Sequence, residues 1–497
     1  MLLTEILHLQ SKNYADKPAL IFGEQQVSFR QFHEQVLHLA AGLCAIGVGK
    51  GDKVAIYLPN CLEFAYAYLA GFYLGAVCVP LDFQLKEEEL ISCLSHSESK
   101  VLIARSKTGI DWQTVKNGTS HLQKIIAVGS IDEGAWAFEK ISTTTHNPFK
   151  PALVADIDPA LIMYTSGTTG KPKGILLNYK HLEGSPAAMQ YFVDLSDRDV
   201  KLAAIPLSHI GGFIYLQNCI HFGITLILMD RFNPIEFLEK IVQYQVTCFH
   251  IVPPMYTAIL TLKNLGMYDL SSLRWIVVFG APSSPEILQR FHQHCPNARL
   301  LNGWGMTETC PPNTVTPLDS DNIDSVGKPA PNCVIRILDA AGQVVPTGEI
   351  GEIVISGWIV MQEYYKDPEA TAEMKRPEGL YTGDLGRFDA AGFLYIVGRK
   401  KEMIKVGGQI VYAPEVESVL YQHSAVAEAA VIGVPDALRG ESVKAFVVLK
   451  EGQQVSPEDL RYVCRDRLAH FKVPQVVEIR EQLAKNRVGK IDKSLLA

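Results

Sequence analysis

The chain has 497 residues, 47% hydrophobic and 20% charged, with 46 basic against 53 acidic residues for a net charge of −7. That length exceeds what one hydrophobic core fills and implies roughly three or four packing units. The composition is that of a soluble globular protein, and the acidic balance excludes a global basic field for recruiting nucleic acid. Ten cysteines without a CxxC pair fit a reducing, cytoplasmic setting.

In chain order, Met1 to His8 lacks the basic start and long apolar run of a secretory leader. Val54 to Leu58 reads as a strand, followed by a helix from Glu63 and a strand at Val77 to Val79. Two uncharged stretches, Phe64 to Leu81 and Leu202 to Met229, resemble membrane spans in composition. Gly75 breaks the first, and Pro206, Gly211 and Gly212 interrupt the second, so both read as buried helix and strand. Further strands are expected at Thr225 to Leu228, Cys248 to Val252 and Trp275 to Val278. A helix should follow Ser284-Pro285-Glu286; the His292, His294, Cys295 cluster at its end lacks a fourth metal ligand and reads as helix-end polar residues. After about Gly348 short strands dominate. From Glu402 a compact α+β unit is expected, with helices at Pro414 to Tyr421 and Ser456 to His470 and strands at Ala427 to Val434 and Lys444 to Leu449. The charged, glycine-flanked segment Gly398 to Lys401 suits a hinge between domains at 1–400 and 401–497.

The most informative segment is Tyr164-Thr165-Ser166-Gly167-Thr168-Thr169-Gly170-Lys171-Pro172-Lys173-Gly174, set between two apolar runs. Glycines let backbone N–H groups turn inward, hydroxyls donate to phosphate oxygens, and lysine supplies charge, which is what a polyphosphate needs. Pro172 after Gly170-Lys171 rules out a Walker loop. The segment resembles the signature of the adenylate-forming superfamily, which groups acyl-CoA synthetases, peptide-synthetase adenylation domains and beetle luciferases. The resemblance runs from about Leu20 to the C-terminus.

The resemblance implies an α/β fold: a large N-terminal domain of layered α/β sheets with a β-barrel-like subdomain, and a small mobile α+β C-terminal domain. It also implies ATP, Mg2+ and coenzyme A. Thr165, Ser166, Gly167, Thr168, Thr169 and Lys173 would hold the phosphates. In Gly303-Trp304-Gly305-Met306-Thr307-Glu308, Trp304 would stack on adenine, Thr307 would touch the α-phosphate and Glu308 would ligate Mg2+. Gly280-Ala281-Pro282 would lie along the nucleotide, Asp384 and Arg399 would hold the ribose, and Lys401 would be the pivot. Lys490, in Gly489-Lys490-Ile491, would bridge the substrate carboxylate and the α-phosphate. The loop before it, Leu483 to Val488, departs from the usual Pro-Thr pattern and places Lys485 and Lys493 nearby as competitors.

The same resemblance places His209 beside the acyl carbonyl, and Gly407 and Gly408 along the CoA tunnel, where a bare backbone admits the pantetheine arm. Ile210, Gly211, Phe213, Phe279, Asn302 and Gly303 would form the acyl pocket; none is charged, so a monocarboxylic, fatty-type acid is expected. Phe279 stands where many relatives have glycine and should narrow that pocket. The expected reaction is ATP-dependent acid–thiol ligation through an acyl-AMP, with release of pyrophosphate and AMP. Loading of an acyl carrier protein, and a non-catalytic nucleotide-binding relative, stand as alternatives.

Overall fold

The computed structural model describes residues 1–130, 134–143, 149–165, 173–280, 285–485 and 491–496. Among them, a nine-stranded sheet carries Asn302, Gly303 and Trp304 and leads at its strand ends to Phe279 and Gly280. Its strands run in the order Lys328–Pro329, Thr314–Val315, Arg299–Trp304, Trp275–Val278, Cys248–Ile251, Val200–Ala203, Thr225–Leu228, Pro18–Phe22 and Gln25–Ser28. Its middle is parallel, in register at Cys248↔Trp275 and Trp275↔Arg299. An eight-stranded sheet runs Glu363–Tyr364, Lys173–Asn178, Pro159–Thr165, Val77–Pro80, Lys53–Tyr57, Val101–Arg105, Lys124–Val128 and Trp136–Ala137.

The first uncharged stretch breaks at Gly75 as expected; the second breaks around Pro206, while Gly211 and Gly212 are taken up in the helix that follows. The first is helix Leu62–Tyr73, a left-handed turn at Gly75 (φ +66°) and strand Val77–Pro80. The second contributes strand Val200–Ala203, helix Ile210–Phe222 and strand Thr225–Leu228. Both helices are apolar nearly all round because they pack against one another inside the molecule. The Tyr68 hydroxyl donates to the Leu207 carbonyl (2.8 Å), and the Tyr68 and Phe213 rings lie 4.8 Å apart. One core cluster includes residues of both large sheets, such as Val54, Leu161, Ala203 and Val277. No described helix is long and apolar enough to cross a membrane.

The unit expected to be barrel-like is a five-stranded antiparallel sheet of Val334–Leu338, Gly351–Ser356, Gly379–Phe388, Lys375–Arg376 and Leu394–Arg399. A short turn, Lys400–Glu402, leads into the small C-terminal domain. There, strands Met403–Val406, Gln409–Tyr412, Val426–Asp436, Gly440–Leu449 and Val476–Arg480 form one sheet, covered by helices Ala413–Tyr421 and Pro457–Arg467. The second helix stops three residues short of its expected end because Leu468 turns extended (φ −119°, ψ 152°). At its start, Ser456 Oγ accepts from the Asp459 N–H (3.1 Å).

Candidate active site

Strands Pro159–Thr165 and Lys173–Asn178 pair antiparallel, with Thr165 opposite Lys173, so the two ends of the phosphate segment lie side by side. Thr165 and Lys173 are its described roots. Ser166, Gly167, Thr168 and Thr169 lie outside the described residues, as do Ala281, Pro282 and Lys490. Gly280 follows strand Trp275–Val278 in the left-handed region (φ +95°), where glycine alone is unstrained.

Strand Arg299–Trp304 runs out of the nine-stranded sheet into the turn Thr307–Thr309. That turn holds Glu308, which is buried. Its Oε1 accepts from the Tyr364 hydroxyl at 2.9 Å, and its carbonyl accepts from the Met361 N–H at 2.7 Å. Burial pushes the Glu308 carboxyl above the usual range; the Tyr364 hydrogen bond and the charges of Arg399 and Lys173 pull partly the other way. Tyr364 also pairs with Ile175 of the phosphate hairpin, and Lys173 Nζ sits 4.9 Å over its ring. One tyrosine therefore joins the carboxylate to the phosphate hairpin. Sequence reasoning missed it, because 56 residues separate it from Glu308.

Asp384 and Arg399 face each other across two antiparallel strands. Arg399 Nε lies 2.9 Å from Asp384 Oδ1, and the Trp304 indole N–H donates to Asp384 Oδ2, also at 2.9 Å. The three residues expected at adenine and ribose thus converge on one buried carboxylate.

His209 caps helix Ile210–Phe222, and its Nε2 lies 3.5 Å from Asp82 Oδ2. Asp82 was not singled out from sequence; its one signal was its place just past strand Val77–Pro80. Beyond it, Phe279 and Gly303 pack together: a Cβ added to Gly303 would lie 2.1 Å from the Phe279 ring. Ile210 and Gly211 sit half-buried at the start of the helix. Two expected pocket residues are placed elsewhere. Asn302 alternates to the other face of its strand, where its amide donates to the carbonyls of Ile323 and Ser325 (3.3 and 3.1 Å). Phe213 is fully buried against Tyr68 and Phe72.

Gly407 and Gly408 (φ +56° and +83°) form the exposed two-residue turn of the hairpin Met403–Val406/Gln409–Tyr412. Lys401 is exposed in the turn before it, while Lys400 pairs with Glu352 at 2.7 Å. The two lysines competing with Lys490 are both engaged: Lys485 with Glu428 (2.5 Å), and Lys493 with Glu417 and Glu402 (2.8 and 3.3 Å). His292 is also committed, its Nε2 lying 2.7 Å from the Ala298 carbonyl, and Cys295 is buried; no cluster of three metal-ligating residues occurs among the described residues.

The family model "AMP-binding enzyme" matches residues 7–365, and "AMP-binding enzyme C-terminal domain" matches residues 415–490. A long-chain-fatty-acid–CoA ligase of Bacillus subtilis (strain 168) is 33% identical over 98% of this chain and 93% of its own length. Among solved structures, an anthranilate CoA ligase in complex with anthranoyl-AMP superposes with a TM-score of 0.94 at 27% identity, covering 100% of this chain and 96% of that one. An o-succinylbenzoate CoA synthetase from Bacillus subtilis, in complex with ATP and magnesium ion, gives a TM-score of 0.85 at 30% identity, covering 98% of each chain. The chain belongs to the AMP-binding enzymes, the adenylate-forming superfamily, and lies in its acyl-CoA synthetase branch.

Proposed function

We propose that the protein activates a monocarboxylic acid with ATP and transfers the acyl group to coenzyme A. The observation that carries this is the convergence of Trp304 and Arg399 on Asp384, beside the strand that leads to Glu308. Trp304 would stack on adenine while its N–H holds Asp384, leaving that carboxylate and Arg399 to take the ribose.

The donor set fits magnesium. Mg2+ prefers one or two carboxylates together with phosphate oxygens over an all-protein cage. Glu308 supplies one carboxylate in a setting where the described residues offer no larger acidic cluster. Magnesium held there supplies charge neutralisation on the phosphates. In the first half-reaction a carboxylate oxygen of the acid attacks the α-phosphorus, and the bond to pyrophosphate breaks. Lys173 and the rest of the phosphate segment hold the leaving group, Thr307 contacts the α-phosphate, and Lys490 offsets the repulsion of the two anions.

In the second half-reaction the CoA sulfur attacks the acyl carbon and AMP leaves. His209 stands at that approach with Asp82 fixing its ring. Lys401 would serve as the pivot at a 400/401 boundary, and the Gly407-Gly408 turn would present bare backbone to pantetheine. Ile210, Gly211, Phe279 and Gly303 line the acid side, and their lack of charge favours a fatty acid over an amino or dicarboxylic acid. The named relatives are CoA ligases and synthetases, which supports CoA over a carrier protein.

The test is pyrophosphate exchange over an acid panel, followed by AMP release with and without CoA. Exchange together with CoA-dependent thioester is the expected result. Exchange without thioester would favour a carrier protein as acceptor, and no exchange with any acid would reduce the protein to a nucleotide binder.

A further inference from the structure

Behind Phe279, the face of the nine-stranded sheet that looks toward helix Ile210–Phe222 is filled by residues the reaction does not use. His250 packs edge-on against Phe279 (ring centroids 5.4 Å apart) and lies 6.0 Å from the Trp275 ring. Tyr215 reaches down from the helix, its ring 5.0 Å from His250. Lys201 Nζ lies 3.3 Å from His250 Nε2, with the rings of Trp275 and Tyr215 on either side at 5.1 and 5.2 Å. Tyr215 and Lys201 are fully buried; Trp275 is 1% and His250 2% exposed. Phe279 alone keeps a half-exposed face.

The sheet explains why this plug is fixed. Strand Val200–Ala203 pairs with Cys248–Ile251 only at Lys201↔Cys248, so the strands part before His250. Tyr215 fills the gap with its hydroxyl, donating to the His250 carbonyl (2.7 Å) and accepting from the His250 N–H (2.9 Å). If Tyr215 swung aside, two backbone groups would be left buried and unpaired. Burial holds His250 far below its ordinary value, so its ring stays neutral; it lowers Lys201 only to about 8, and the Trp275 and Tyr215 rings and His250 Nε2 stand in for water around that ammonium.

We propose that Phe279 and the Tyr215–His250–Trp275–Lys201 layer behind it form a closed floor to the acyl pocket, so that this enzyme selects short or compact carboxylic acids and rejects long chains. The proposal deepens the acyl-adenylate reading above and rests on it. A long acyl chain needs a tunnel past Gly303 between the helix and the sheet, and that route meets first a phenyl ring packed on the Gly303 backbone, then a fully packed second layer. Lys201 is not offered as an anchor for a distal carboxylate, because two rings and His250 enclose its ammonium.

The test compares binding of butanoyl- and palmitoyl-sulfamoyl adenosine, stable acyl-AMP analogues, by calorimetry to the wild type, Phe279→Ala and Phe279→Ala/His250→Ala. Turnover with butyrate, octanoate, palmitate and adipate is measured alongside, with melting curves to show that each variant folds. The butanoyl analogue should bind the wild type at least a hundredfold tighter than the palmitoyl one. Phe279→Ala should raise kcat/KM for octanoate relative to butyrate by tenfold or more, and the double variant should extend this gain toward palmitate. Equal or tighter palmitoyl binding by the wild type, preferred use of adipate, or an unchanged profile in folded Phe279→Ala would overturn the proposal. Failure of the ligase reading shows differently, as absent turnover with every acid while the two analogues still report on the pocket.

Discussion

Glu308 is a carboxylate kept where a carboxylate is uncomfortable, and Glu308→Gln separates its role in stability from its role in catalysis. The side chain is 8% exposed, and burial raises its pKa above the ordinary 4.5 despite the Tyr364 hydrogen bond and the nearby Arg399 and Lys173 charges. A carboxyl whose folded-state value is raised binds its proton more tightly in the native state than in the unfolded one. Its stabilising contribution is therefore fully present below about pH 4.5 and is lost as pH rises through the higher native value. Above that native value the folded enzyme carries a poorly solvated charge. Glutamine keeps the shape and still accepts from Tyr364, giving up about 1 kcal/mol of charge assistance in that bond. Because burial outweighs the compensating terms, the net gain should be on the order of 1 kcal/mol, a rise in Tm of about 1–3 °C without nucleotide. Differential scanning calorimetry at pH 8 and pH 4 measures it, and the gain should vanish at the lower pH. Adenylation should fall about a hundredfold, because an amide is a poor Mg2+ ligand. An unchanged or lower Tm at pH 8, or a gain that persists at pH 4, would show that Glu308 is not a strained carboxylate.

Trp304→Phe keeps an aromatic face but removes the N–H that holds Asp384; losing a hydrogen bond to a buried carboxylate of about 1.5–3 kcal/mol should raise the KM for ATP at least tenfold and leave that for the acid nearly unchanged, as steady-state kinetics will show. Gly212→Ala would put a Cβ 1.9 Å from the Pro206 carbonyl oxygen, forcing the preceding turn off the start of helix Ile210–Phe222; a loss of roughly 3 kcal/mol or more should appear in chemical denaturation. Lys493→Met leaves Glu417 unpaired in a largely buried site and should destabilise the C-terminal domain by roughly 3 kcal/mol, with Glu417→Gln in the same chain restoring much of it.

Local chemistry was legible from sequence where adjacent residues carry it. The hydroxyl- and glycine-rich segment, the Gly303 to Glu308 run and the Asp384 strand all announce themselves as strings, and the uncharged stretches break at Gly75 and around Pro206, whereas Gly211 and Gly212 fall inside the first turn of helix Ile210–Phe222. What the sequence could not show depends on which face a side chain takes or on distant segments meeting. Asn302 and Gly303 are neighbours in sequence but lie on opposite faces of one strand, so assigning both to one pocket ignored the period of two. On the helix, Phe213 and Tyr215 differ by two positions, about 200° around the axis, and it is Tyr215 that meets the sheet. Asp82 and Tyr364 carry no motif; each matters because an element far along the chain brings its partner to it. His250 did leave a trace, as a polar residue inside the apolar strand Cys248–Ile251.

Three of the residues proposed for the nucleotide, Trp304, Asp384 and Arg399, are already bonded together before any substrate enters. Asp384 is held by Trp304 and Arg399, and Glu308 by Tyr364, with each partner arriving from a different strand or turn. Such mutual bonding fixes rotamers that ATP would otherwise have to freeze, and a site organised in advance stabilises a transition state without reorganising during it. It also creates an electrostatic problem. On the proposed reading two buried carboxylates, Asp384 and Glu308, would face a polyanion, and their repulsion would oppose ATP unless cations intervene. Lys173 and Arg399 already act on Glu308, and Arg399 also pairs with Asp384. The remaining imbalance falls at Glu308, which among the described residues has no lysine or arginine in hydrogen-bond contact, and on the proposed reading a divalent cation brought by the nucleotide would offset its charge there.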